Sequence, residues 1–250
     1  SPGGGSVPDP LSVGQLNTDK IAGKTGSIID VAGTLRITDT NTNNSIGYNS
    51  NAAGTGNVAM GYEALQNNTG SYNVGIGYLA AQTGSPTDAV AIGNSALKSD
   101  TNTGSVAIGS GAATNTNSAG NVAVGYNALN ANTTGTNNVA IGFQAQSANN
   151  ISDNIVIGYQ AAQNATGSRV IAFGSGAGLI SVSDMLAIGY NALMASSALN
   201  MAIGNYALQN TVTGARNLAL GYQSGQSNLG SDNLYTGYQA GKVCDSGDRN

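Results

Sequence analysis

The sequence predicts an all-β chain wound as a parallel β-solenoid of about thirteen coils. Three observations predict it. A glycine returns every 14 to 17 residues. A short apolar stretch with a period of two precedes each of these glycines, and a polar, turn-forming stretch follows. Self-similarity at a fixed short period is the signature of stacked repeats.

The glycine column comes first. It runs through Gly47, Gly61, Gly77, Gly93, Gly109, Gly125, Gly142, Gly158, Gly174, Gly189, Gly204, Gly221 and Gly237. A column unbroken over thirteen copies implies a structural corner with a positive φ or no room for a Cβ.

The strand comes next. Large aliphatics stand three and one before the glycine, as in Val58 and Met60, Val106 and Ile108, and Ile155 and Ile157. They share one strand face, and Ala59, Ala107, Ala123 and Ala140 share the other. β-Branched enrichment favours a strand over a helix. The expectation is that the large aliphatics fill the coil. A second small column falls three residues after the glycine, as in Ala64 and Ala128, and suggests close approach of another sheet or chain.

The rest of each copy is turn chemistry, as in Asn67-Asn68-Thr69-Gly70 and Asn132-Thr133-Thr134-Gly135. A second short extended piece, Tyr-x-Ala, follows the glycine, so one coil reads as two strands and two turns. Coils stacked about 4.8 Å apart make an array roughly 60 Å long.

An aromatic column follows the glycine directly: Tyr48, Tyr62, Tyr78, Tyr126, Phe143, Tyr159, Tyr190, Tyr222 and Tyr238. One reading is a ladder that stacks on sugars. The other, which needs no ligand, is stacking between neighbouring coils at about 0.5–1.5 kcal/mol per pair.

Few large aliphatics per coil must offset a backbone ordering cost of about 1–2 kcal/mol per residue. A narrow roll of this kind therefore calls for a further buried face, and the alanine columns supply it if several chains pack around an axis.

Composition excludes several functions. The eight basic residues are scattered and the net charge is −4, which argues against nucleic acid. No stretch reaches the roughly 20 apolar residues of a membrane helix, so no membrane insertion is expected. The chain has no His and one Glu, Glu63, which removes Ser–His–Asp and Cys–His arrangements. No two acids of the array are closer in sequence than Asp88 and Asp100. Gly23-Lys24-Thr25 lacks the earlier glycine of a phosphate loop. No catalytic residue, enzyme activity or cofactor is expected. Calcium solenoids carry Asp at a fixed place in every turn. Here Asp88, Asp153, Asp184 and Asp232 occur in only some turns and read as unpartnered, so no metal is expected. The single cysteine, Cys244, reads as an incidental thiol.

The organisation follows. Residues 1–10 read as a linker. Residues 11–43, with six charged residues, read as an entry cap or stalk segment with short strands. Residues 44–241 form the repeat array, and 242–250 a polar tail. The first copy has Asn44 at an aliphatic position, and the last has Tyr235 and Thr236 at alanine and isoleucine positions, as capping repeats do.

Copies such as Ser105-Val106-Ala107-Ile108-Gly109, Asn121-Val122-Ala123-Val124-Gly125 and Asn138-Val139-Ala140-Ile141-Gly142 resemble the head repeat of YadA-like trimeric adhesins. The resemblance covers about residues 44–241. It implies a left-handed parallel β-roll assembled as a homotrimer. Similar repeats occur in bacteriophage tail fibres, and the stretch from Leu16 through Ile37 resembles segments ahead of repeats in such fibres. A complete trimeric autotransporter carries a signal peptide, coiled-coil stalks and a C-terminal barrel anchor, and none is read here. The expectation is a virion tail-fibre subunit that partners other tail or fibre proteins and presents a surface to a host-cell glycan or protein. The alternative is the head of a trimeric autotransporter adhesin on a bacterial cell surface. Candidate receptor contacts lie in the turns with the longest spacings, residues 130–137 and 209–216: Asn132, Thr133, Thr134, Asn210, Thr211 and Thr213.

Overall fold

In the computed structural model, the described residues are 43–50, 53–148, 150–195, 199–211 and 213–244. They fall in one compact unit, Ile37–Asn250. The linker, residues 11–42 of the entry segment and the tail from residue 245 lie outside the described residues.

The array is a parallel β-solenoid. Thirteen short strands, from Asn44–Ile46 through Val106–Ile108 to Leu234–Thr236, stack in chain order into one sheet. All neighbours pair in parallel, and the register keeps each repeat position over itself: Val106 pairs with Val122, Ala107 with Ala123, and Ile108 with Val124. The strands define about twelve turns, and the described residues contain no helix. Each inner strand bonds both neighbours. Val106 N–H donates to the Asn121 carbonyl at 2.8 Å, and Gly109 N–H to the Ile92 carbonyl at 2.7 Å.

From Gly47 to Gly221 the repeat glycine ends each strand at a corner no other residue can take. Gly109 has φ +134, and a Cβ on it would lie 2.5 Å from the Gly125 carbonyl oxygen. Both reasons given for the column hold at once.

The return path corrects the expected second strand. Tyr-x-Ala does not extend. It runs as consecutive turns with alternate residues in the left-handed region, such as Glu63 at φ 53 and Leu65 at φ 54. Each such residue costs about 1–2 kcal/mol of local strain. The geometry lets alternate N–H groups serve opposite neighbours: Glu63 N–H donates back to Tyr48 at 2.8 Å, and Leu65 N–H forward to Ala80 at 3.0 Å. Among the described residues, paired extended residues recur on this side only as Asn67–Asn68 with Thr83–Gly84 and Ser227–Asn228 with Val243–Cys244, with an isolated bridge between Ile180 and Ala195.

The assignment of faces is also corrected. The alanines are inside and the large aliphatics outside. Ala107, Ala123 and Ala140 of the strand, and Ala64, Ala112 and Ala128 of the return path, are all fully buried. A third inward column, four residues after the glycine, carries the bulk of the core in Leu65, Leu97, Leu129, Leu193 and Leu208. Coil width is the reason. A Cβ added to Gly75, in the strand alanine column, would lie 2.8 Å from Leu65 Cγ. The space between strand and return path takes methyl groups and one leucine, and it has no room for two further branched chains per turn. The last turn adapts to a larger group. Tyr235 enters the alanine column and is buried because Gly225 and Gly241 clear space, and a Cβ on Gly241 would lie 2.2 Å from its ring.

An asparagine ladder closes one edge of the core, four residues before the glycine. Asn57, Asn73, Asn121, Asn138, Asn154, Asn200, Asn217 and Asn233 are buried there. Each side chain ties two turns together. Asn57 Nδ2 donates to the Gly70 carbonyl at 3.0 Å, and its Oδ1 accepts the Asn73 N–H at 2.8 Å.

Candidate binding surface

Because the strand alternates, burying the alanines turns the aliphatics outward. Two columns of large side chains run along the outer sheet face, three and one before the glycine. They are interrupted by polar residues only at the ends, Asn44 and Thr236, and carry no charge. Ile155 is 42% exposed and Met201 41%. A continuous apolar face of this extent is uncommon on a soluble monomer, which makes it the candidate surface for interaction.

The aromatic column lies at the corner after this strand. Its rings stack along the axis, with centroids 5.2 Å apart for Tyr48 and Tyr62, 5.2 Å for Tyr62 and Tyr78, and 5.1 Å for Tyr126 and Phe143. Stacked neighbours cover one another's faces, so most of the ladder offers only ring edges. Tyr206 joins although it sits one residue off the column, edge-on to Tyr190 at 5.2 Å and to Tyr222 at 5.9 Å.

The candidate loop residues divide. Thr133, Thr134, Asn210 and Thr213 are exposed. Asn132 and Thr211 are fully buried and do not face outward. Asn132 shapes its turn, with Nδ2 donating to the Gly135 carbonyl and Oδ1 accepting the Gly135 N–H, both at 2.8 Å. The loop is also tethered to the next turn, where Asn150 Oδ1 accepts Thr133 Oγ1 at 3.0 Å and Thr134 N–H at 3.3 Å.

The acids that read as isolated along the chain fall in one ordered column. Asp88, Asp153, Asp184 and Asp232 all stand five residues before a repeat glycine. Two have arginine partners in the same column, which corrects the reading of them as unpartnered. Arg169 Nη2 donates to Asp184 Oδ2 at 2.8 Å, and Arg216 Nη2 to Asp232 Oδ2 at 2.8 Å. The Arg169 guanidinium holds the Asp184 carboxyl below the usual carboxylate range. Both pairs are exposed, so solvent and salt screen them and they add little to stability. Among the described residues, no group of three or more His, Cys, Asp or Glu is placed to hold a metal.

One acid stands apart. Asp100 is fully buried, with Oδ1 accepting the Asn102 N–H at 3.0 Å and Oδ2 without a partner among the described residues. Burial pushes its pKa up to about 6.

Three features escaped the sequence reading: the asparagine ladder, the charged column and Tyr206. The first two become visible once every turn is counted from its glycine. Among the described residues, no helix is long and apolar enough to cross a membrane. No family model, curated protein or solved structure matches the chain.

Proposed function

We propose that this chain is a structural subunit of a bacteriophage tail fibre. Three copies pack their aliphatic faces around a common axis as left-handed rolls, with the outer turns facing a host-cell surface. The observation that carries the reading is the uncharged double column of outward aliphatics. The core of each roll is already closed by alanine and leucine, so this face has no role inside its own chain. The number three and the handedness come from the resemblance to YadA-like head repeats. The contact face differs from the sequence expectation, since the alanine columns are enclosed and unable to meet another chain. Identical chains would present each outer turn, including Thr133 and Thr134, three times, and weak single contacts would gain avidity.

Cross-linking tests the packing. In a Cys244→Ser background, Ile108→Cys and Thr133→Cys place single thiols on the aliphatic face and on an outer turn. A short bismaleimide should join chains through residue 108 and leave residue 133 unjoined. Equal cross-linking at both positions, or none at residue 108, would remove the proposed interface. Display is tested separately with Thr133→Ala/Thr134→Ala, which should lower adsorption to host cells without changing assembly.

A further inference from the structure

Where every rung of the aromatic ladder is filled, ring faces are covered. Phe143, for example, lies between Tyr126 and Tyr159 at 5.1 and 5.2 Å. A ligand can reach a face only where a rung is missing. Ser175 is such a place: it follows Gly174, and the turns before and after carry Tyr159 and Tyr190 at the same position. The backbone runs through without a break. Gly176 N–H donates to the Tyr159 carbonyl at 2.9 Å, and Asn191 N–H to the Ser175 carbonyl at 3.0 Å. Two steps of about 4.8 Å therefore separate the tyrosine levels, roughly 10 Å in all. Gly176 leaves the slot open, and its own position is covered by the Asn191 carboxamide, whose Oδ1 would lie 2.1 Å from an added Cβ. Tyr159 and Tyr190 are both exposed.

We propose that Tyr159, Ser175 and Tyr190 form a slot that takes one neutral hexopyranose unit of a glycan between two aromatic faces. Size favours a sugar over a flat ring. Two carbon contacts of about 3.5–4.0 Å plus the pucker of a chair fill about 8–9 Å, whereas a flat ring stacked on both sides fills only about 7 Å. The floor is uncharged, and the Ser175 hydroxyl and Asn191 carboxamide both donate and accept, which suits sugar hydroxyls. The other break in the ladder does not qualify. Asn94 and Ser110 are consecutive missing rungs between Tyr78 and Tyr126, and three steps, roughly 14 Å, are too wide for one ring to touch both faces.

Saturation-transfer NMR on the intact chain tests this. The probes are the methyl glycosides of glucose, galactose, mannose and N-acetylglucosamine, with N-acetyltyrosinamide as the flat-ring probe. At least one glycoside should receive saturation on its ring C–H protons. The signal should fall at least about fivefold in Tyr159→Ala, by loss of one of two faces, and vanish in Ser175→Tyr, which inserts the missing rung. Ser110→Tyr, in the wide break, should leave it unchanged. Circular dichroism establishes that each variant is folded, and if Ser175→Tyr does not fold, Tyr159→Ala and Ser110→Tyr decide. The proposal is overturned if no glycoside binds, if binding survives Ser175→Tyr or Tyr159→Ala, or if only N-acetyltyrosinamide binds. None of these outcomes depends on how the aliphatic faces pair.

Discussion

The side-chain oxygen of Asn57 accepts the backbone N–H of Asn73 at 2.8 Å, one full turn further along the chain. The same side chain donates to the Gly70 carbonyl at 3.0 Å, so one residue joins a strand to the turn leading into the next. Asn57→Ala would leave both backbone groups buried and unpaired, at about 1–3 kcal/mol each. Urea denaturation should show a loss of that order. Asn57→Asp, which keeps the acceptor and loses the donor, should fall between. A loss below about 0.5 kcal/mol for Asn57→Ala would mean that water replaces the ladder without penalty.

Gly109 and Gly104 make a matched pair. Both have positive φ, but a Cβ on Gly109 meets the Gly125 carbonyl oxygen at 2.5 Å while one on Gly104 meets nothing within 4 Å. Gly109→Ala should destabilise by at least about 3 kcal/mol, because strain and collision add. Gly104→Ala should cost only the left-handed penalty of about 1 kcal/mol. Similar melting temperatures for the two variants would contradict the corner assignment.

Asp100 makes stability depend on pH. Its pKa in the folded chain, about 6, lies above that of an unfolded carboxylate. The folded state therefore holds the proton more tightly. That contribution is complete below the unfolded pKa and is lost as pH rises from about 4 to about 6. Asp100→Asn should remove this slope and stabilise the chain at pH 7. An asparagine already fills the same place two turns away on either side: Asn68 Nδ2 donates to the Ala81 carbonyl at 3.3 Å, and Asn132 Nδ2 to the Gly135 carbonyl at 2.8 Å. Melting curves of both proteins from pH 4 to 8 should converge at the acid end. Parallel curves would show that Asp100 does not titrate in that range.

Gln146 occupies the inward leucine column. It is fully buried, its Oε1 has no partner among the described residues, and its Nε2 reaches the Ile151 carbonyl only at 3.5 Å. Gln146→Leu should therefore stabilise by about 1–3 kcal/mol. A destabilised variant would place an unseen partner on that amide.

The repeat, the strand positions and the corner glycines were legible because each is a local rule read against a fixed beat. Inside and outside were not. Alternation assigns Val106 and Ile108 to one face and Ala107 to the other, but only the width of the closed coil decides which face it encloses. The usual preference for large residues inside fails when the return path lies one leucine away. The asparagine ladder was hidden because Asn before Val reads as turn composition. The loop contacts were over-read for the converse reason, since Asn132 and Thr211 look like surface polar residues and are buried.

The proposed trimer makes the outward aliphatic columns an interface between three copies. Sedimentation equilibrium at micromolar concentration tests it most directly, on the wild-type chain and on Ile108→Lys/Ile141→Lys. Both substituted positions are outward and each more than a third exposed, so a lone roll would tolerate lysine there. A trimer joined through these columns has a wild-type mass of three times the 24.7 kDa chain, and the double variant should be monomeric with its circular dichroism unchanged. A wild-type monomer, or a trimer that survives both lysines, would contradict it.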